Sequence, residues 1–199
     1  KGSVTGPITD TVAFSLTGSV NNREGYFDNL GEGGDFNDRN RWALRGQLYA
    51  APTDNLQLRF IVDYDELDEQ CCGTDRAIDG PSGPVIRDIL GGQTSAGPGF
   101  EYLIATDFPN NNMVENGGVS LQADWDFGGN MTLSSITAYR IYDDFVDYEG
   151  DFTTLSLLGE NVRGLDAGTF TQEVRLVGNW NNRVDYLIGG FFFNEDLTA

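Results

Sequence analysis

The chain has 199 residues, 39% of them hydrophobic and 12% aromatic, with 26 Gly, 6 Pro, no His and a formal net charge of −19. That is too apolar and too aromatic for a disordered chain and too rich in glycine for a helical one, and so much negative charge excludes nucleic acid as a partner. Without histidine there are no imidazole metal sites or His general bases, no apolar run reaches the length of a membrane helix, and with no signal peptide before Lys1 the chain reads as mature, trimmed or internal.

Lys1–Thr5 reads as the stub of a strand, closed by a tight turn at 6–10, Gly6-Pro7-Ile8-Thr9-Asp10. Val12, Phe14, Leu16, Gly18 and Val20 then alternate with Ala13, Ser15, Thr17, Ser19 and Asn21. Period two means a strand, here with one apolar face and one small, mostly polar face. The segment 22–39 is a long acidic loop. In Asn40–Tyr64 the alternation returns as Trp42, Leu44, Gly46, Leu48 and Ala50, pauses at the turn 51–55, and restarts as Leu56, Leu58, Phe60, Val62 and Tyr64. Two alternating arms around a Pro/Asp/Asn link make a hairpin. At roughly 3.3 Å per residue, arms of about nine residues tilted by about 40° stand some 23 Å high, close to the ~25 Å apolar band of an outer-membrane barrel.

The segment 66–116 is the longest irregular stretch and holds Cys71-Cys72, two Gly/Pro clusters (80–84 and Gly97-Pro98-Gly99) and Asn110-Asn111-Asn112. Within it Val85–Leu90 reads as a short helix or strand. Val119, Leu121, Ala123, Trp125 and Phe127 form the next alternating face, and the turn 128–130 follows. Met131–Tyr142 is a strand whose apolar face the sequence leaves open. The loop 143–168, the strand Thr169–Gly178, the turn 179–182 and a last strand Arg183–Asn194, also ambiguous in facing, complete the chain.

Long loops (22–39, 66–116, 143–168) thus alternate with short turns (6–10, 51–55, 128–130, 179–182). A soluble sandwich has no reason to sort its connections in this way; a membrane barrel does, with short periplasmic turns and long extracellular loops. The three long loops carry net charges of −3, −7 and −6, which is −16 of the chain's −19. The expected fold is all-β, an antiparallel up-and-down transmembrane β-barrel, with residues 1–199 forming part of one barrel domain in the cell outer membrane. The alternative is a secreted or surface β-sandwich binding calcium or glycan, with Trp42, Leu44, Leu56, Leu58 and Phe60 buried against a second sheet.

Several short motifs follow one another in a telling order. They are Gly6-Pro7-Ile8-Thr9-Asp10, Gly25-Tyr26-Phe27-Asp28-Asn29, Asn37-Asp38-Arg39-Asn40 leading into Leu44-Arg45-Gly46-Gln47-Leu48, Cys71-Cys72-Gly73, Leu133-Ser134-Ser135-Ile136-Thr137-Ala138-Tyr139-Arg140, and Gln172-Glu173-Val174-Arg175-Leu176. In this order and at these spacings the chain resembles the TonB-dependent outer-membrane receptors. The resemblance implies a barrel of about 22 strands, closed by an N-terminal plug. It also implies import of a scarce large solute, a ferric siderophore by default, driven by the TonB energy-coupling protein. The chain shows no plug, no energy-coupling box and no C-terminal strand ending in an aromatic residue, so about seven strands plus a stub are expected as an internal piece of the larger barrel.

Asp143, Asp144, Asp147, Glu149 and Asp151 form the densest carboxylate cluster. Such oxygen-rich clusters suit Ca²⁺, and divalent ions also bridge lipopolysaccharide at this membrane face; a solvated, mutually repelling loop is the plainer reading. Arg45, Arg59, Asp63, Asp124, Glu173 and Arg175 are expected to face the lumen or the plug, and Trp42, Tyr64 and Trp125 to form an aromatic girdle at the lipid surface. Cys71 and Cys72 are either a vicinal disulfide or exposed thiols. There is no nucleophile–base pair and no phosphate loop, so no catalytic residue is assigned and no enzyme activity or cofactor is expected beyond Ca²⁺ on the acidic loops. The expected partners are outer-membrane lipid and lipopolysaccharide, TonB through the missing plug, and a small ligand such as a ferric chelate.

Overall fold

The computed structural model describes residues 1–95, 97, 100–128 and 130–199; Pro98 and Gly99 of the second Gly/Pro cluster and Gly129 of the turn 128–130 lie outside them. Among the described residues there are ten strands: β1 (Gly2–Thr9), β2 (Val12–Arg23), β3 (Asp28–Asn29), β4 (Arg39–Thr53), β5 (Leu56–Gln70), β6 (Leu103–Ile104), β7 (Asn111–Asp126), β8 (Met131–Tyr148), β9 (Asn161–Trp180) and β10 (Val184–Thr198). Eight of them form one antiparallel sheet in the order β1-β2-β4-β5-β7-β8-β9-β10, so each strand pairs with its neighbours in the sequence. The sheet is open: β1 and β10 are its edges and do not pair with each other. The remaining strands, β3 and β6, pair in parallel outside the sheet.

The expected turn at 6–10 is replaced by strand. β1 continues through Gly6, Pro7 and Ile8, and the chain reverses at Asp10 and Thr11. Pro7 is tolerated because β1 is an edge strand, where its missing N–H costs no ladder bond, and the register shifts between Pro7 and Thr9. Local chemistry places the turn between β9 and β10 as expected. Asn181 and Asn182 take φ of 54° and 52° and Arg183 N donates to Trp180 O at 3.1 Å, the two positive φ values that a tight hairpin turn with the strands' own twist demands.

Register assigns every side chain to a face, including those that the sequence left open. Leu16, Gly46, Val62, Val119, Tyr139 and Phe170 stand on one row across β2 to β9. Leu56, Trp125, Leu133, Leu176 and Ile188 stand on a lower row of the same face. On β8 the apolar face is therefore the one of Met131, Leu133, Tyr139 and Ile141, and on β10 that of Tyr186, Ile188 and Phe192. The opposite face carries Ser15, Thr17, Gln47, Gln122 and Thr171. It is most apolar at β10, where Leu187, Phe191, Phe193 and Leu197 are all more than half exposed. Gly117 stands between Tyr64 and Ile141 on the apolar face, where a Cβ would come within 2.9 Å of the Tyr64 ring.

The apolar face has no protein partner among the described residues. Trp42, Leu44 and Phe60, which the sandwich alternative buries, are 40–48% exposed, and no second sheet covers them. The chain's accessible surface is 12433 Å², against about 9,300 Å² for a compact protein of this mass. The excess is what an uncovered sheet produces, and it rules out the sandwich.

The buried hydrophobic residues instead lie in the connections: Phe27, Phe36, Ile86, Ile104 and Ala105. Phe27, Phe36 and Ile104 pack together with Phe152 against them. Phe27 and Phe36 exchange backbone bonds of 3.2 and 2.9 Å across loop 24–38, and β6 brings Ile104 in from a segment far along the chain. Truncation of Phe36 to Ala should cost about 3–5 kcal/mol of local stability. The check is amide exchange: protection should fall in 24–38 and 103–106 while the paired strands β7–β9 keep theirs.

Candidate functional site

The three long connections, 24–38, 71–110 and 149–160, meet over one end of the sheet as a cap. All three are shorter than the expected loops 22–39, 66–116 and 143–168, because β2, β5, β7, β8 and β9 run on past the apolar face. These extensions carry much of the acidity: the shortened connections hold a net charge of −11. Strands of 16 to 20 residues in β7, β8 and β9 run on beyond the apolar rows, so their upper parts need partners of another kind.

Those partners are polar and specific. Glu69, at the top of β5, accepts from Arg41 Nε and Nη2 at 2.6 Å each, from Arg39 Nη1 at 3.2 Å and from Asn40 N at 3.3 Å. Asp38 Oδ1 takes Gln70 N at 2.6 Å. Asn37 pairs both ends of its amide with the backbone of Gly73, at 3.0 Å each, which ties loop 24–38 to the start of 71–110. Asn29 donates to Thr106 Oγ1 at 2.9 Å and accepts from Thr106 N at 3.1 Å, fixing β3 against the chain beyond β6.

The carboxylate cluster singled out in the sequence is dispersed by the fold. Asp143, Asp144 and Asp147 lie on β8 rather than in a loop. Asp144 pairs with Arg163 at 3.0 Å, and Asp147 accepts from the backbone and side-chain nitrogens of Asn111 at 2.6 and 2.8 Å. Asp143 faces Glu115 and Asp166 on the opposite side of the sheet from Asp144. Alternation along a strand forces that separation. Among the described residues no group of three or more Asp, Glu, Cys or His is arranged to hold a metal ion.

Glu149 and Asp151 do come together. Glu149 is 1% exposed; its carboxylate accepts from Asp151 N at 2.6 Å and from Phe152 N at 2.8 Å, and its own N–H donates to Asn110 Oδ1 at 3.0 Å. These bonds hold Phe152 at a φ of 54°, with its ring on the cap core. Burial pushes the Glu149 carboxyl up to about 7. Burial also opposes ionisation of Asp151, but the Thr153 hydroxyl and the N–H groups of Leu158 and Leu157 outweigh it and hold that carboxyl below its ordinary range.

On the polar face Arg45, Arg59, Asp63, Asp124, Glu173 and Arg175 share one side of the sheet. Asp63 is bridged by Arg45 at 3.5 Å and by Arg140 at 2.9 Å; Arg175 meets Glu173 at 2.9 Å, and Asp124 accepts from Gln122 and Ser134. On the apolar face Trp42 and Tyr64 stack 5.4 Å apart at the cap end, whereas Trp125 lies at the turn end, 5.3 Å from Phe127. Trp180 and Tyr186 join that lower level; Trp180 belongs to the expected turn 179–182, and Tyr186 to the segment 183–194, whose facing the sequence leaves open. Cys71 and Cys72 form a vicinal disulfide at the foot of the cap.

The cap also builds an aromatic cluster that had no local signal in the sequence. Tyr26, Phe27, Phe100 and Tyr102 come together from two loops, with Phe27–Tyr102 at 5.5 Å and Phe100–Tyr102 at 4.6 Å between ring centres. The Arg23 guanidinium sits 4.9 Å above the Tyr26 ring. Beside it opens a cleft of about 700 Å³ whose lining includes Arg23, Glu24, Gly25, Asp35 and Arg39.

No protein-family model matches the chain, and no curated protein matches it. Among solved structures it is similar to the outer membrane transporter YddB from Escherichia coli, with 15% sequence identity and a TM-score of 0.47. The match covers 98% of this chain and 26% of the transporter, so the chain spans about a quarter of that protein's length.

The opposed shifts of Glu149 and Asp151 give the cap a pH dependence of known sign. The raised Glu149 contributes stability that is present below its unfolded value and lost as pH rises through about 7; the lowered Asp151 contributes stability that is lost as pH falls. Protection of 149–160, corrected for intrinsic exchange, should therefore be greatest in acid near pH 4 and should fall as pH rises from about 4.5 to about 7. Glu149→Gln should abolish that fall; an unchanged fall in that variant would remove Glu149 as its cause.

Proposed function

We propose that this chain is part of the wall of an outer-membrane β-barrel transporter, a non-enzymatic receptor that binds a scarce large solute at its outer face. By the resemblance of its motifs it is of the TonB-dependent kind, with a ferric siderophore as the solute and TonB as the source of energy. One observation carries the membrane reading: the apolar band crosses the sheet obliquely.

On β2 the band ends at Val20, and on β10 it ends at Phe192, above which stand Asn194 and Asp196. The row of Phe192 leads back through Gln172, Thr137, Leu121, Phe60 and Leu48 to Phe14. The upper limit of the band thus drops from the row of Val20 to the row of Phe14 over the six steps from β2 to β10, an average of one residue per step. With a rise of about 3.3 Å per residue and about 4.8 Å between strands, that slope is about 35°. The strands of outer-membrane barrels tilt by about 35–45°. A level hydrocarbon slab leaves this mark on tilted strands.

Just beyond the band, Glu66, Glu115, Asp143 and Asp166 occupy one row on four consecutive strands. Like charges directly opposite one another are destabilising in a sheet, and the layer that relieves them here is the lipopolysaccharide headgroup region with its divalent cations. The open edges of β1 and β10 are where further strands of the barrel continue. The cap faces outward, and the short turns face the periplasm.

In this reading Leu121→Arg, in the middle of the band, destabilises folding into lipid vesicles by about 2–4 kcal/mol. Ser120→Arg, one residue along on the polar face, costs under about 1 kcal/mol. Equal costs at the two positions would contradict a lipid-facing surface. The functional test is fractionation and uptake of the natural protein. Extraction from the outer membrane should require detergent, and uptake of the ferric chelate should stop when TonB is absent; a protein recovered in plain buffer would refute the proposal.

A further inference from the structure

The aromatic cluster of the cap is at odds with a core role. Phe27 is buried, but Tyr26 and Tyr102 are about half exposed and Phe100 is more exposed still. Three adjoining aromatic rings left open to solvent are rare without a ligand or partner. Carboxylates neighbour them in the chain. Glu101 lies between Phe100 and Tyr102; Glu24 is two residues before Tyr26; Asp35 precedes Phe36, which pairs with Phe27. Gly25 closes loop 24–38 on itself so tightly that a Cβ there would lie 2.6 Å from the Asp35 backbone, which brings Glu24 and Asp35 to one rim of the cleft.

Among the described residues, Glu24, Asp35 and Glu101 make no ion pair, whereas the cap's arginines are engaged. Arg39 bonds Glu69, Arg76 and Arg87 flank Asp79, and Arg23 donates to Asn37 O at 2.6 Å while lying on Tyr26. The free charge at this surface is negative. Aromatic faces attract cations through their quadrupole, and Arg23 over Tyr26 is an internal example of that contact.

We propose that Tyr26, Phe100 and Tyr102, with Glu24, Asp35 and Glu101 around them, form a binding surface for an organic cation: a ligand with a flat or aliphatic body and a positive charge. The proposal rests on the reading of the cap as the outer, ligand-binding face and narrows the ligand it takes. Anionic ligands are repelled by the same carboxylates. For a ferric chelate this selects one whose donors cancel the metal's charge and which carries a free ammonium, over one that remains a polyanion.

The test uses the natural protein in detergent, titrated with benzyltrimethylammonium, benzyl alcohol and benzoate, which are cationic, neutral and anionic probes of similar size, followed by chemical-shift changes at the tyrosine rings. Benzyltrimethylammonium should bind at least tenfold more tightly than benzoate, with the difference shrinking in high salt. The combined variant Glu24→Gln, Asp35→Asn, Glu101→Gln should bring cation and alcohol to equal affinity. Tyr26→Ala with Tyr102→Ala should weaken both. Benzoate binding as tightly as the cation, absence of cation binding, or a preference that survives the charge-neutral variant would each overturn the proposal. Recovery of the same preparation from the membrane or from the soluble fraction tests the membrane reading separately.

Discussion

Everything in this protein follows from a sheet whose apolar face meets no other part of the chain among the described residues. In a water-soluble β protein that face is closed by a second sheet or by helices, and the interior is where large side chains reach low exposure. Here the large side chains of β2, β4, β5, β7, β8 and β9 stay exposed across the whole sheet. A surface this large must be removed from water by something outside the chain. In the proposed reading that something is a lipid slab with a plane of its own, and the band, displaced against the strand register by an average of one residue per strand, is its mark.

The same constraint explains why the core and the polar anchors sit where they do. If the apolar face belongs to lipid, it cannot also stabilise the loops, and the loops need a core of their own. Phe27, Phe36, Ile104 and Phe152 supply it. The upper ends of the strands, above the band, cannot rely on lipid either. They are joined to one another through charged hydrogen bonds, above all the Arg39–Glu69–Arg41 group and the contacts of Asp144 and Asp147, and to the cap through Asp38. The polar face between them, crossed by the Arg45–Asp63–Arg140 bridge, is suited to water or to a polar filling.

The sheet was legible in the sequence because alternation is a local signal. Val12–Val20, Trp42–Ala50, Leu56–Tyr64 and Val119–Trp125 fall on the expected faces, and the Asn-Asn turn lies where its chemistry requires it. Legibility failed where the deciding partner is distant. Pro7 reads as a turn residue unless its place at the sheet edge is known. Met131–Tyr142 and Arg183–Asn194 carry apolar residues at both parities, so only pairing with β7 and β9 fixes their facing. The run of acids from Asp143 to Asp151 reads as one cluster, but strand geometry sends Asp143 and Asp144 to opposite faces, and hydrogen bonds engage Asp144, Asp147 and the Glu149–Asp151 pair separately. The aromatic cluster joins Tyr26 to Tyr102 through a parallel pairing for which no local pattern exists.

The most direct measurement of the central claim places a polarity-sensitive fluorophore at successive positions of β5, from Leu58 to Asp63. Each labelled variant carries a single cysteine, with Cys71 and Cys72 replaced by serine, and is reconstituted in bilayers containing chains brominated near their midpoint. The account predicts a period of two: blue-shifted emission quenched by bromine at Leu58, Phe60 and Val62, and red-shifted, unquenched emission at Arg59, Ile61 and Asp63. Emission that is unquenched at every position, or quenched on the face of Arg59 and Asp63, would contradict it.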